Sequence, residues 1–235
     1  MTKYFILSVS IIVCVAAGIY TVLSLPNEGN NIMSPHESET IQLPVPGYES
    51  NISIERVLLE RRSIREYNDE PLKLTEVSQL LWAAQGITDT RGYRTAPSAG
   101  ALYPLEMYVV AGNVIDLPDG IYRYKPDNHE LVRIMEGDNR ITLSRAALGQ
   151  SFVREGAVVI VFSAVYERIT AKYGRRGIRY VHIEVGHAAQ NVYLQAAALH
   201  LGTVAVGAFH DDEVKKNMNM RDDEEPLYIM PVGRI

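Results

Sequence analysis

The chain is poor in cysteine: Cys14 is the only one in 235 residues. No intrachain disulfide can form, and a zinc site built from paired cysteines is excluded. Tryptophan is as scarce, with Trp82 alone. Basic charge is also in short supply, with 23 Lys+Arg against 28 Asp+Glu and a net charge of −5. That balance argues against nucleic acid as the main partner, because neutralising a phosphate backbone requires a basic surface. No Gly-x-Gly-x-x-Gly segment occurs, so a dedicated Rossmann dinucleotide site has no support. Internal repeats and low-complexity tracts are missing too. The remaining composition, 47% hydrophobic and 22% charged, is ordinary for a folded chain with room for one domain plus an appendage.

Charge is absent altogether from residues 4–25, a run of 22. At the helical rise of about 1.5 Å per residue, that length crosses a hydrocarbon core of about 30 Å. The apolar part of a signal peptide is usually shorter, roughly 7–15 residues, and Ser24-Leu25-Pro26 makes a poor cleavage site. Residues 1–25 therefore read as an uncleaved transmembrane anchor, with a cleaved signal and secretion as the alternative. Cys14 does not read as a lipoprotein cysteine, because the apolar run continues well beyond it. Lys3 precedes the run, and no Lys or Arg occurs between Leu25 and Arg56, where Glu28, Glu37, Glu39, Glu49 and Glu55 stand. Positive-inside then puts the N-terminus in the cytoplasm and the remaining chain outside the membrane.

Residues 26–50 read as a linker, broken by Pro26, Gly29, Pro35, Pro44, Pro46 and Gly47. Residues 51–235 are the expected folded domain. Residues 54–61 and 75–85 carry apolar side chains at helical spacing, the second as Val77, Leu80, Leu81 and Ala84 before a stop at Gly86. Residues 106–111, 120–124, 130–134, 157–164, 204–209 and 227–232 read as strands, the fourth as a buried central one. Residues 178–201 read as a long helix, apolar on most faces and ending at Gly202. Mixed elements without a strict βαβ rhythm predict an α+β layer fold.

Three segments stand out. Arg61, Arg62, Ser63 and Arg65 offer three guanidiniums and a hydroxyl within five residues, enough to grip one phosphate or to form a solvated basic turn. Pro97, Ser98, Ala99 and Gly100 lie in a small-residue stretch that lets backbone approach a flat ligand, or simply leads into a strand. Lys172 and Tyr173 precede Arg175, Arg176 and Arg179, a run that reads by itself as a solvated basic helix start. His182 and His187 are five apart and point to different helix faces; Glu184 and His187 share a face, but two ligands make no site, so no metal site is expected. Trp82 reads as core packing.

Residues 61–65, 80–86, 97–104 and 172–174, then Gly186-His187-Ala188-Ala189-Gln190-Asn191 and Pro231-Val232-Gly233-Arg234, follow one another in an order that resembles the FMN-dependent nitroreductase superfamily, and within it the SagB-type dehydrogenase branch. The resemblance spans roughly residues 41–235. It implies a mixed or antiparallel sheet flanked by helices, in an intertwined homodimer with FMN at the subunit interface. Position by position, it implies Arg61, Arg62, Ser63 and Arg65 on the phosphate and ribityl chain. Pro97, Ser98, Ala99 and Gly100 of the other subunit would line the isoalloxazine ring, Gly207 and Ala208 would pack close to it, and Arg234 would return to the phosphate. In azoline-oxidising relatives, a Lys-Tyr pair such as Lys172-Tyr173 removes a proton while hydride passes to FMN. The implied function is an FMN oxidoreductase acting on a small-molecule or peptide substrate, with NAD(P)H as a transient reductant over the flavin. A flavin-binding sensor without turnover is the alternative from another class.

Overall fold

The computed structural model describes residues 39–235. Their elements are, in chain order, β1 (Thr40–Gln42), α1 (Ile54–Glu60), β2 (Leu72–Lys73), α2 (Leu74–Gln85), β3 (Leu105–Ala111), β4 (Val114–Ile115), β5 (Gly120–Lys125), β6 (Glu130–Glu136), α3 (Arg140–Ala146), α4 (Ser151–Glu155), β7 (Val158–Ala164), α5 (Glu167–Tyr173), α6 (Arg176–Ala198), β8 (Leu201–Thr203), α7 (Asp211–Asn217) and β9 (Glu225–Arg234). Seven strands form one sheet in the order β1-β6-β5-β3-β7-β9-β8. Every neighbouring pair in it is antiparallel, while β2 and β4 make a separate parallel pair. The α+β expectation holds, with the main sheet wholly antiparallel.

Strand alternation builds two core layers. Met107, Val109 and Ala111 of β3 and Ile160 and Phe162 of β7 face α2 and α6. Tyr108 and Val110, with Val159 and Val161, face α3, α4 and α7. Both faces of β7 are therefore covered, which is why its sequence is a continuous apolar run rather than an alternating one.

On α6 the buried residues are Gly177, Val181, Glu184, Val185, Ala188, Ala189, Val192 and Ala196. Spaced at threes and fours, they make one stripe. Ile178 and Ile183 are exposed, so the helix is apolar on one side instead of most sides. It also stops earlier than Gly202. His200 takes a left-handed φ of 56° just past the helix end, the usual geometry of a C-terminal cap. Gly202 lies in β8 instead, where a Cβ would come within 2.8 Å of Ile64 and 2.6 Å of Ile235. The strand expected over residues 204–209 is reduced to one bridge between Val206 and Ile229.

The domain reaches back into the stretch read as linker. Thr40, Ile41 and Gln42 pair with Val132, Leu131 and Glu130, and Gln79 brackets Gly47 with two hydrogen bonds of 2.8 and 3.0 Å. Among the described residues no helix is long and apolar enough to cross a membrane. That overturns the membrane-anchored, extracytoplasmic placement. The run at residues 4–25 on which it rested, including Cys14 and the choice between anchor and signal, lies outside the described residues.

A buried ion pair ties the second core layer to the loop before β9. Glu224 accepts from Arg123 at 2.6 Å, from Tyr108 at 2.8 Å and from Ser163 at 2.8 Å. Removing one member of such a pair strands the other charge in apolar surroundings. Glu224→Ala is expected to lower the unfolding free energy by about 3–5 kcal/mol. Arg56→Ala, which breaks the exposed Arg56–Glu60 pair, should cost about 1 kcal/mol or less. Urea denaturation of the two variants checks the contrast.

Candidate active site

Helix α1 begins at Ser53, whose hydroxyl accepts the Arg56 N–H at 3.2 Å. It ends as Arg61 leaves helical backbone geometry. The next residues run extended along β8: the Ile64 N–H donates to the Thr203 carbonyl at 2.9 Å, and the Ile64 side chain faces Gly202. With Ile64 turned inward, Arg62, Ser63 and Arg65 are exposed. Arg61 lies over the Tyr193 ring at 5.1 Å and Arg65 over Phe152 at 5.6 Å. The Tyr193 hydroxyl is 3.0 Å from Ser63 Oγ and accepts the Ala205 N–H at 2.7 Å. Arg62 donates to the carbonyls of Leu59 and Arg61 at 3.0 and 2.7 Å. Among the described residues, Arg61, Arg62 and Arg65 have no carboxylate partner. Arg234 differs: Glu76 holds its guanidinium by two contacts of 2.9 Å.

The second segment is a strained loop. Gly100 has φ 67°, and Ala101 and Tyr103 have φ 54° and 45°. Left-handed backbone costs a non-glycine residue about 1 kcal/mol or more, so neighbours must hold it. The Tyr103 N–H donates to Ser98 Oγ at 2.9 Å and the Arg94 N–H to the Tyr103 hydroxyl at 3.2 Å. The Arg94 guanidinium lies 4.4 Å over the Tyr103 ring and donates to Gln85 Oε1 at 3.0 Å.

The same loop meets the third segment. A Cβ at Gly100 would fall 2.7 Å from the Tyr173 hydroxyl and 3.0 Å from Lys172 Nζ. Lys172 sits 5.4 Å over the Tyr173 ring, and Tyr173 packs edge-on against Tyr180 at 5.2 Å. These residues close α5, not the start of a basic helix, and Lys172 is exposed. Gly207 and Ala208 are exposed beyond β8, where the Ala208 carbonyl accepts from Gln150 at 3.0 Å. Trp82 is only half buried and tilts against Tyr48 at 5.4 Å. Among the described residues, no group of three or more His, Cys, Asp or Glu could hold a metal ion.

Glu184 was passed over as a weak metal ligand, and the structure gives it another setting. It is 1% exposed, whereas His187 is exposed. Burial pushes its carboxyl up to about 7, against the pull of the Ser98 hydroxyl and the Arg94 guanidinium toward the charged form. The signal was available in the sequence: position 184 falls in the apolar register of Val181, Val185 and Ala188, where an acid is out of place. Arg94, Tyr103 and Tyr193 carried no comparable signal, because their roles come from contacts distant in sequence.

The antiparallel sheet, the long helix over one face and the strained loop beside exposed Lys172 define an α+β domain with a candidate site. The chain belongs to the nitroreductase family, whose model matches residues 58–234. A Methanocaldococcus jannaschii protein described by inference as a nitroreductase is 50% identical over 196 residues, 83% of this chain and 98% of the relative. A crystal structure from Ralstonia eutropha, described in the same way, superposes with a TM-score of 0.74 at 32% identity, covering 86% of this chain and 91% of the other. A chain of the E. coli microcin synthetase McbBCD, solved with truncated pro-MccB17 bound, gives a TM-score of 0.64 at 26% identity, covering 82% and 77%.

The setting of Glu184 makes stability depend on pH in a definite direction. Its folded-state pKa of about 7 lies above the ordinary 4.5. Between those values the folded state keeps a proton that the unfolded state has lost, so stability falls as pH rises through this window, by up to about 3 kcal/mol. Glu184→Gln should remove that fall, leaving the variant near the wild type at pH 5 and more stable at pH 8. Denaturant midpoints at the two pH values measure it.

Proposed function

We propose that this domain is an FMN-dependent oxidoreductase of the SagB type, passing hydride between flavin and a small-molecule or peptide substrate as a homodimer. The observation that carries the reading is the meeting of the side-chain-poor loop at Gly100 with Lys172 and Tyr173. A Cβ there would fall 2.7 Å from the Tyr173 hydroxyl and 3.0 Å from Lys172 Nζ, so glycine is what lets the loop close on the Lys-Tyr pair. The donor set also suits a phosphate: among the described residues, Arg61, Arg62 and Arg65 have no carboxylate partner and Ser63 is exposed beside them. Arg234, engaged by Glu76, is left out of that set.

When bound, flavin supplies the hydride chemistry. The chain's own residues do the rest. Arg61, Arg62, Ser63 and Arg65 hold the phosphate. Pro97, Ser98, Ala99 and Gly100 of the second subunit would line the ring, and Gly207 and Ala208 would pack close to it. Lys172 Nζ takes or returns the substrate proton, with the Tyr173 hydroxyl beside it. The likeness to a microcin synthetase chain supports a peptide substrate. The 50% identical relative described as a nitroreductase supports an NAD(P)H-dependent reductase instead.

The purified full chain is expected to be yellow, and a colourless protein that takes up no FMN overturns the reading. Arg65→Ala should weaken FMN binding about tenfold or more, the worth of one charge-assisted hydrogen bond. Rapid anaerobic bleaching by NADPH or NADH assigns the reductase, and indifference to both favours the dehydrogenase. Lys172→Ala should keep the flavin but stop substrate oxidation.

A further inference from the structure

Buried polar atoms without partners are the places where a fold spends stability on something other than folding. Among the described residues these are Gln85 Nε2, Arg94 Nε, Arg123 Nε and both carboxylate oxygens of Glu184. All but Arg123 belong to one group. Arg94 is bonded to Gln85, and Arg94 and Ser98 both act on Glu184. The group lies under the loop that carries Pro97, Ser98, Ala99 and Gly100, at the join of α2 and α6.

The unused atoms are complementary: Gln85 Nε2 and Arg94 Nε are donors, and the Glu184 oxygens are acceptors. They stay unpaired because Arg94 is committed elsewhere, to Gln85 Oε1 and to the Tyr103 ring. Tyr103 in turn fixes Ser98 through its N–H. An uncharged carboxyl tolerates this arrangement. An ionised one does not, since an unpaired buried carboxylate is far more costly than an unpaired acid. The other groups acting on Arg94 are Asp127, Tyr103 and Glu106. On the far side of Gly100 stand Lys172 and Tyr173.

We propose that Glu184 is a positioning residue for the ring-facing loop. Uncharged, it leaves Arg94 on Gln85 and Tyr103, so Gly100, Ala101 and Tyr103 keep their left-handed geometry, with Gly100 against Lys172 and Tyr173. Ionised, it draws Arg94 onto itself, away from Gln85 and Tyr103, and releases the base of the loop. The inference rests on the flavin reading for its consequence, which is tighter FMN binding below neutral pH than above it.

FMN titrations of the full-length wild type and Glu184→Gln between pH 6 and pH 8 test it. The Kd of the wild type should rise about tenfold across that range beyond any change in the variant, the most that one proton titrating near the middle of it gives. The FMN phosphate's own titration is common to both proteins and cancels in the comparison. Glu184→Gln should show only the change that the phosphate's titration brings. Equal pH dependence in the two proteins overturns the proposal. If neither protein binds FMN, the flavin reading fails, and the clamp is judged on the loop itself. Amide exchange of residues 97–103, compared between wild type and Glu184→Gln at pH 8, should then be faster in the wild type. Equal rates at pH 8 overturn the clamp as well.

Discussion

A 23-residue helix cannot be moved piecemeal, and α6 touches every part of the candidate site. Near its start, Tyr180 backs Tyr173. In its middle, Glu184 lies under Ser98. Towards its end, Tyr193 supports Ser63, Arg61 and the Ala205 amide together. Its seat on the sheet is set by Val181, Val185, Ala188, Ala189 and Val192, and small residues on that stripe let it lie close to the strands. A shift of α6 would displace the loop, the Lys-Tyr corner and the arginine segment at once. From Glu184 to Tyr193 the helix runs nine residues, about 14 Å. The loop contact and the arginine contact are therefore well separated along one subunit.

Two buried acids show how the same cost is met in opposite ways. Glu224 is surrounded by donors from Arg123, Tyr108 and Ser163, and joins β3, β5 and β7 to the start of β9. Its charge is satisfied, and its role is to hold strands in place. Glu184 sits equally deep with neither oxygen in a close hydrogen bond, so burial raises its pKa against the pull of Ser98 and Arg94 instead. A satisfied acid has one low-energy arrangement. An unsatisfied one beside unused donors has a second within reach, which suits it to a loop that has to respond.

The strands were largely legible because alternation and β-branched runs carry through to β3, β5, β6, β7 and β9. The long helices α2 and α6 were legible from their period. Helices α3, α4, α5 and α7 were not. Each has seven residues or fewer, too short to be stable without tertiary contacts, so their periodicity is weak. Thr40 to Gln42 escaped notice for a related reason: three residues ahead of two prolines read as linker until β6 offers them an edge. The end of α6 was misjudged because His200 supplied the left-handed turn that glycine usually supplies. The arginine segment, the loop and the Lys-Tyr pair were visible as residues. That Gly100 faces Tyr173 was not, since 73 positions separate them in sequence.

The fate of the arginines shows where residue type stops being informative. Arg65 and Arg234 are equally good phosphate ligands on paper, and both lie beside β8. Arg234 has met Glu76, 158 positions away, in a two-contact pair, whereas Arg65 has met only the ring of Phe152. An aromatic face leaves a guanidinium's edge donors open, and a carboxylate fills them. The Glu76 carboxylate also accepts the Lys73 N–H at 2.8 Å as part of the start of α2. Arg234 is thus drawn into closing a helix end and fastening the last strand to it. A phosphate competing for Arg234 would have to undo that junction, while one binding at residues 61–65 would have no carboxylate to displace among the described residues.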